Sequence, residues 1–418
     1  MGAMSEAQVA ATELERVTSK VTTVFESDDM FYSSIKKRNV EVVSYREMRA
    51  PMEISPGGRF QYFNPNGGDM GRGSAPKWDK ATLQPVFLSE NIEYTKLAQW
   101  STDDKRKAVI NAVRKLTAGA LVEMRRQLDA QLQQPGTGQI GTISAVSTSG
   151  NVSTYTLNSD GFGARLTREQ QIVQVFSADL LTNRGKGEIL LWDVENKSIQ
   201  VDSSGIAGAI ATDVLITDGL TDPAALPALF GVPYHHSNSS VGTWLGYDRA
   251  STPQIRSNRV NAGGSALSLP APRLAINKIG NRVGMDNNVK LTAWTHPAQA
   301  QAYEEIGQLV SIIHKQAKDE ALNMYFGDNM QLAGAPLRTH FNWNRTRIDF
   351  VNESTWGRAE ILPIGFYTSD GRKIFEIRGA SGGVATADIF YMVTGFQTWV
   401  MNPAATAYID NLAVPAGY

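Results

Sequence analysis

Apolar residues recur three and four positions apart at Leu14, Val17, Val21 and Val24, one stripe of an amphipathic helix over residues 5–25. The same spacing returns more strongly between Thr102 and Gln133. There Val109, Val113, Leu116, Ala120, Leu121, Met124 and Leu128 share a face. Ser101-Thr-Asp-Asp104 predicts a cap with carboxylates in the first turn, and Pro135-Gly136 a stop. At ~1.5 Å per residue this helix is ~45 Å long. Its other face is basic, with Lys105, Arg106, Lys107, Arg114, Lys115, Arg125 and Arg126 outnumbering Asp103, Asp104, Glu123 and Asp129.

Elsewhere the pattern is that of strands. Val40–Tyr45 and Ile92–Thr95 are β-branched and aromatic in partial alternation. Between them, residues 51–80 hold four prolines and six glycines, together with Phe60, Tyr62, Phe63 and Trp78. A two-stranded arm with ~20 residues per side reaches ~65 Å, well beyond the ~15 Å radius of a 150-residue domain. Ordering costs ~1–2 kcal/mol per residue, which so little apolar surface does not offset. The arm is therefore expected to be covered by a neighbouring molecule rather than by its own, with the aromatic residues as anchors. From Gly138 to Gly219 six short strands with turns about every ten residues predict a small barrel or sandwich. Helices are expected over Arg273–Val283 and Pro297–Lys318, and a strand over Val289–Trp294. A hairpin is expected around Asp370-Gly371, and a long strand over Ile389–Met401.

Composition narrows the function. The 418 residues are 42% hydrophobic and 19% charged, an ordinary globular balance, and no apolar run approaches the ~18 residues of a membrane span. With no cysteine there is no disulfide, thiolate metal site or cysteine nucleophile, which points to a reducing compartment. A net charge of −1 argues against a strong basic field for gripping nucleic acid. Lys36-Lys37-Arg38 reads as a solvated charge cluster.

Two catalytic strings match out of context. Gly136-Thr-Gly138-Gln-Ile-Gly141 fits the dinucleotide fingerprint but follows a helix and opens a strand, the reverse of what phosphate binding needs. Gly379-Ala-Ser381-Gly-Gly383 fits a nucleophile elbow but lies between strands. His235, His236, His296, His314 and His340 lack zinc-site spacing and read as surface or packing residues. The acidic pairs Asp28-Asp29, Asp103-Asp104 and Glu304-Glu305 suit solvated helix ends. No enzyme, cofactor or metal is expected.

The order of elements, rather than any one motif, resembles the major capsid protein of tailed double-stranded DNA bacteriophages, the Hong Kong 97-like fold. Leu229-Phe-Gly-Val-Pro233, Leu332-Ala-Gly-Ala-Pro-Leu337 and the segment from Asp388 to Asp410 agree in texture. The resemblance implies an α+β fold with an N-terminal arm (1–39), an extended loop (40–97) and a peripheral-domain spine helix (98–137). An inserted β domain (138–219) would follow, then an axial domain (220–359), a peripheral β segment (360–402) and a last axial strand (403–418). It implies inter-subunit contacts through Phe60, Tyr62, Phe63, Arg72, Lys77 and Trp78, and a basic interior face at Arg114, Lys115, Arg125 and Arg126. The partners would be copies of the chain in hexamers and pentamers, scaffolding, portal and decoration proteins, and packaged DNA held non-specifically, with no membrane. The place would be the virion, assembled in the bacterial cytoplasm. Lys77 and Lys80 match no cross-linking motif, so the joints are expected to be non-covalent. An encapsulin-type nanocompartment shell and a carbohydrate-binding or adhesive β protein are the alternatives.

Overall fold

The computed structural model describes residues 30–62, 66, 71–95, 105–158, 164–284, 290–314, 330–378 and 384–415. Side chains are described over the same residues except 95, 105–115, 307–314, 378 and 384. The amphipathic stripe of 5–25, the helix cap at 101–104 and the loop 379–383 lie outside these residues.

The chain enters with a short helix, α1 (Met30–Ser34), and a two-residue strand, β1 (Lys36–Lys37). An antiparallel ribbon follows in the order β2 (Glu41–Ser44), β3 (Glu47–Ser55), β4 (Lys77–Leu83). β5 (Val86–Thr95) leaves the ribbon, and α2 (Lys105–Gln131) is the long helix. Next come β6 (Gln139–Ser149), β7 (Val152–Leu157), β8 (Ile172–Phe176), β9 (Asn183–Asp193), β10 (Ser198–Asp202) and β11 (Val214–Thr217). They close a barrel in the order β10-β7-β6-β11-β8-β9 around Ile143, Tyr155, Val173, Val175, Ile189, Ile199 and Leu215.

A one-turn helix, α3 (Val232–His235), leads to a small ribbon of β12 (Thr243–Trp244) and β13 (Tyr247–Asp248). After β14 (Asn258–Asn261) come α4 (Pro270–Val283), β15 (Leu291–Thr295), α5 (Pro297–His314), β16 (Gln331–Leu332), β17 (Ala335–Thr339) and β18 (Ile348–Asn352). β19 (Trp356–Phe366), β20 (Ile374–Arg378), β21 (Val384–Val400) and β22 (Ala407–Asp410) complete the chain. One sheet runs β14-β22-β18-β15-β17-β16. The other is built on β21, which pairs with β5 along one edge and with β20 and then β19 along the other.

That long strand explains two departures from the sequence reading. The segment ending in Ile92–Thr95 is not the return strand of a projecting arm: β5 pairs antiparallel with β21 from Val86↔Phe396 to Thr95↔Ala387 and belongs to the body. Asp370-Gly371 does form a tight turn, with φ of 51° and 75° and reciprocal Ser369–Arg372 hydrogen bonds. Its two arms, however, pair with β21 rather than forming a ladder with each other. A strand of this length satisfies more backbone groups as a shared template than an isolated hairpin could.

Side-chain alternation splits the β21 sheet between two cores. Trp356, Phe396 and Val400 face the long helix, where Ala120, Met124 and Leu128 present the expected stripe. Ala359 and Trp399 face the opposite way, onto the ribbon base and β12–β13. The chain crosses from the barrel to α3 at Gly231, where a Cβ would sit 2.2 Å from the Leu132 carbonyl oxygen, so only glycine allows the approach.

The junction of the two sheets is plugged by Phe31. Its ring meets Trp294, Trp343 and Trp356 edge-on at 5.3, 5.4 and 5.4 Å and is fully buried. Tyr32 N donates to Asp129 Oδ1 at 2.6 Å, and His340 Nε2 lies 2.8 Å from Asp129 Oδ2, so α1 is clamped to the long helix. In Lys36-Lys37-Arg38 both lysines are exposed, as expected of a solvated cluster, but the segment is also docked on the body. β1 pairs with β19, Lys37 reaches Glu360 at 3.3 Å, and Arg38 donates to the Ser354 carbonyl. Phe31→Ala should cost about 3–5 kcal/mol in chemical denaturation, because rigid indoles on three sides leave the cavity little room to collapse. A loss under 1 kcal/mol would show the cage to be soft.

Candidate functional site

The ribbon divides into a base and a shaft. At the base Met48, Ala50, Ala81 and Leu83 are fully buried against Trp244, Leu245, Tyr247, Ala359 and Trp399 of the same chain, contrary to the expectation that the arm owes nothing to its own molecule. Met52 and Ile54 still pack part-buried against this core, and beyond them the strands stand off the body. Phe60 is 92% exposed, Tyr62 94% and Trp78 62%, and Arg72 and Lys77 are exposed as well. Phe63 lies outside the described residues.

Strand pairing puts Trp78 opposite Glu53 and Lys77 opposite Ser55. The pairing continues past the strands: Gly58 N donates to the Ser74 carbonyl at 2.8 Å, and Ser74 Oγ donates back to the Gly58 carbonyl at 3.0 Å. Gly57, at φ +68°, leaves no room for a Cβ beside Ala75 and Pro76, so the glycines let the two strands close up. Phe60 and Tyr62 meet edge-to-face at 5.9 Å. The described residues flanking the tip are thus cationic and aromatic, with Arg59, Phe60, Tyr62 and Arg72 left to solvent and Trp78 separate from them on the shaft.

The tip's bearing is set by the base. Thr82 N donates to the Leu245 carbonyl at 2.9 Å, and Leu245 N donates to Tyr234 Oη at 3.1 Å, so β4 hangs on the β12–β13 ribbon. That ribbon hangs in turn on His235. The Trp244 indole N–H donates to His235 Nδ1 at 3.1 Å, and an indole can only donate, so the proton is on Nε2, facing Thr398 Oγ1 at 3.3 Å. Burial first, then the charges of His236 and Arg249, hold the His235 pKa well below its ordinary value. His236 is likewise pushed down by burial, against the pull of Asp349, whose carboxylate Arg347 and Trp343 also hold. His296 is driven to about 4 by burial, then by Arg345, Arg165 and His340. These histidines are therefore packing residues. No sequence spacing signals the His235–Trp244 joint, because it joins a helix to a separate ribbon.

The proposed basic face is corrected in one part. Arg126 is not on the surface but 1% exposed. It donates to both Glu123 oxygens and to the carbonyls of Arg165 and Leu166, tying the long helix to the barrel. Asp129, also assigned to that face, is buried in the α1 clamp. Arg125 is exposed, and the side chains of Arg114 and Lys115 lie outside the described residues. Near Arg126, burial and then the charge of Glu123 raise Glu90 to about 7. Burial also pushes Glu123 up, but Arg126 and Arg168 outweigh it and leave that carboxyl below its usual value. Among the described residues no group of three or more His, Asp or Glu could hold a metal ion.

No protein-family model matches the sequence, and no curated protein matches it. Among solved structures, a chain of the Cyanophage A-1(L) capsid asymmetric unit superposes with a TM-score of 0.55 at 9% identity, over 94% of this chain and 96% of that one. The capsid of the native GTA particle gives 0.46 at 11% identity, over 95% and 94%. The holo-SrpI encapsulin complex from Synechococcus elongatus gives 0.41 at 8% identity, over 97% and 96%. The first superposition covers most of both chains, and the chain has the fold of that capsid subunit. The resemblance read from the order of elements holds at the level of fold.

The His235 tautomer generates a pH prediction. A buried histidine held neutral leaves stability complete above its unfolded pKa of about 6.5 and loses it as pH falls below that value, at up to about 1.4 kcal/mol per pH unit. His236 and His296 act in the same direction. Glu90, protonated up to about 7, acts in the opposite one. Three groups against one leave a net loss on acidification. Urea midpoints at pH 7.5 and 5.5 should therefore fall, and His235→Gln should flatten the slope by about one proton. An unchanged slope in that variant would place the His235 titration elsewhere.

Proposed function

We propose that this chain is the major capsid protein of a tailed bacteriophage, forming hexamers and pentamers of an icosahedral head around double-stranded DNA. One observation carries the reading: a chain with the fold of a phage capsid subunit projects an ordered ribbon whose tip rings are more than nine-tenths exposed. Burying an aromatic side chain is worth about 1.5–3 kcal/mol, so Phe60, Tyr62 and Trp78 together supply a useful fraction of a subunit joint. A contact of this kind is heterologous, tip on one copy and receptor on the next, and such contacts close into rings when the rotation allows.

In this reading α2 is the spine of a peripheral domain completed by the β21 sheet, and the β14–β22 sheet is the axial domain that meets its copies at the capsomer centre. The barrel is an insertion carried on the spine, held through Arg126 and Gln127. Phe60, Tyr62, Arg72, Lys77 and Trp78 make the inter-subunit contact. Arg114, Lys115 and Arg125 belong to a mildly basic inner face that touches packaged DNA without sequence preference. Scaffolding, portal and decoration proteins are the further partners, and the virion is the place of action.

Sedimentation velocity and negative-stain microscopy on the purified chain should show rings or shells of MDa mass. Replacing residues 59–73 with two glycines removes the tip and keeps the base, so the variant should melt within about 5 °C of the parent yet remain monomeric. A parent that stays monomeric at all concentrations, or a shortened variant that still assembles, would overturn the reading.

A further inference from the structure

From Arg249 to Gly284 the chain carries five arginines and a lysine and not one Asp or Glu, although its net charge is −1. The fold draws several of these cations together. Arg256 donates through Nε to the Arg249 carbonyl at 2.7 Å and through Nη2 to the Ala250 carbonyl at 3.1 Å. Arg282, in the last turn of α4, donates through Nη1 to the Arg256 carbonyl at 2.7 Å and through Nη2 to the Pro253 carbonyl. Lys278, one turn earlier, reaches the Arg259 carbonyl at 2.6 Å. The cations thus line the seam between α4 and the segment that leads into β14.

Their charge is not matched. Asp410 is taken by Arg259 at 2.8 Å, and Asp248 accepts from the backbone N–H groups of Ala250 and Ser251 at 3.0 and 3.2 Å. Among the described residues neither Arg256 nor Arg282 has an ion-pair partner, and Arg256 Nη1 and Arg282 Nε make no hydrogen bond. Behind them Arg249 is 4% exposed, its guanidinium held by the carbonyls of Ser237 and Tyr234. A helix C-terminus favours one cation, and carbonyls satisfy donors, but neither cancels the charge of three guanidiniums linked one to the next. Burial, then the charge of Arg256, holds Arg282 below the ordinary guanidinium value, as expected of like charges left facing each other.

We propose that Arg256 and Arg282 bind a phosphate group in the seam between α4 and β14. A phosphate presents its charge on several oxygens at once, a geometry that guanidinium forks match, and it replaces one repulsion with two attractions. Free phosphate and the phosphodiester of a nucleic acid share this chemistry, and the test separates them.

Titration calorimetry on the full chain should show saturable binding of inorganic phosphate beyond a sodium chloride control of equal ionic strength. Arg282→Gln should weaken it about tenfold or more, because one of two charged donors is gone. Arg273→Gln removes an exposed arginine of the same helix outside the pair and should stay within about twofold of the parent. If circular dichroism shows R282Q unfolded, R282K takes its place; it keeps the charge, loses the fork and should bind about threefold weaker or more. A short DNA duplex that competes with phosphate in the parent assigns the group to nucleic acid, and one that does not compete assigns it to free phosphate; the site stands in both cases. No binding beyond the chloride control, or equal weakening by R273Q and R282Q, overturns it. Neither result bears on the shell reading, because the site lies within one chain.

Discussion

A two-stranded ribbon has a single layer, and a single layer has no interior. Past Ala50 and Ala81 the ribbon satisfies its backbone by pairing across itself, down to Gly58 and Ser74. Beyond Met52 and Ile54, which still rest part-buried on the base, its large side chains Phe60, Tyr62 and Trp78 lie exposed. What is distinctive about the chain follows from that imbalance: an element whose aromatic residues Phe60, Tyr62 and Trp78 face solvent, mounted on a body that holds its base.

The body gains its stiffness from buried polar joints at places where separate elements meet. Asp129 binds the backbone of α1 and faces His340. Arg126 reaches from the long helix into the barrel, and His235 accepts the indole proton of the small ribbon on which β4 hangs. Breaking any of these would leave a buried group without its partner, a loss of several kcal/mol for a charged one. Each joint therefore holds one relative placement of two elements, where apolar contact alone would tolerate several. In the proposed shell this matters, because small errors in the bearing of the ribbon would accumulate from copy to copy.

How much was legible divides along physical lines. The stripe of Ala120, Met124 and Leu128, the β runs between Gln139 and Thr217, and the turn at Asp370-Gly371 were all readable, since each is set by local periodicity or by a residue that suits positive φ. The exposure of Phe60, Tyr62 and Trp78 was readable too, because glycine and proline around them deny the segment a core of its own. The partner of β5 was not, since pairing with a strand about 300 residues away leaves no trace in the pattern of either strand. The Phe31 cage was equally hidden: Trp294, Trp343 and Trp356 are scattered along the chain and converge only at the junction of two sheets.

The amino-acid sequence by itself determined which segments are helix and strand and that one glycine- and proline-rich stretch must look outward, because both depend on the chemistry of near neighbours. Only the tertiary structure decided that the stretch is rooted in its own molecule and that Arg126 and Asp129 are internal fasteners rather than surface charges. Burial and charge partnership belong to residues brought together from distant parts of the chain, and no local window contains them.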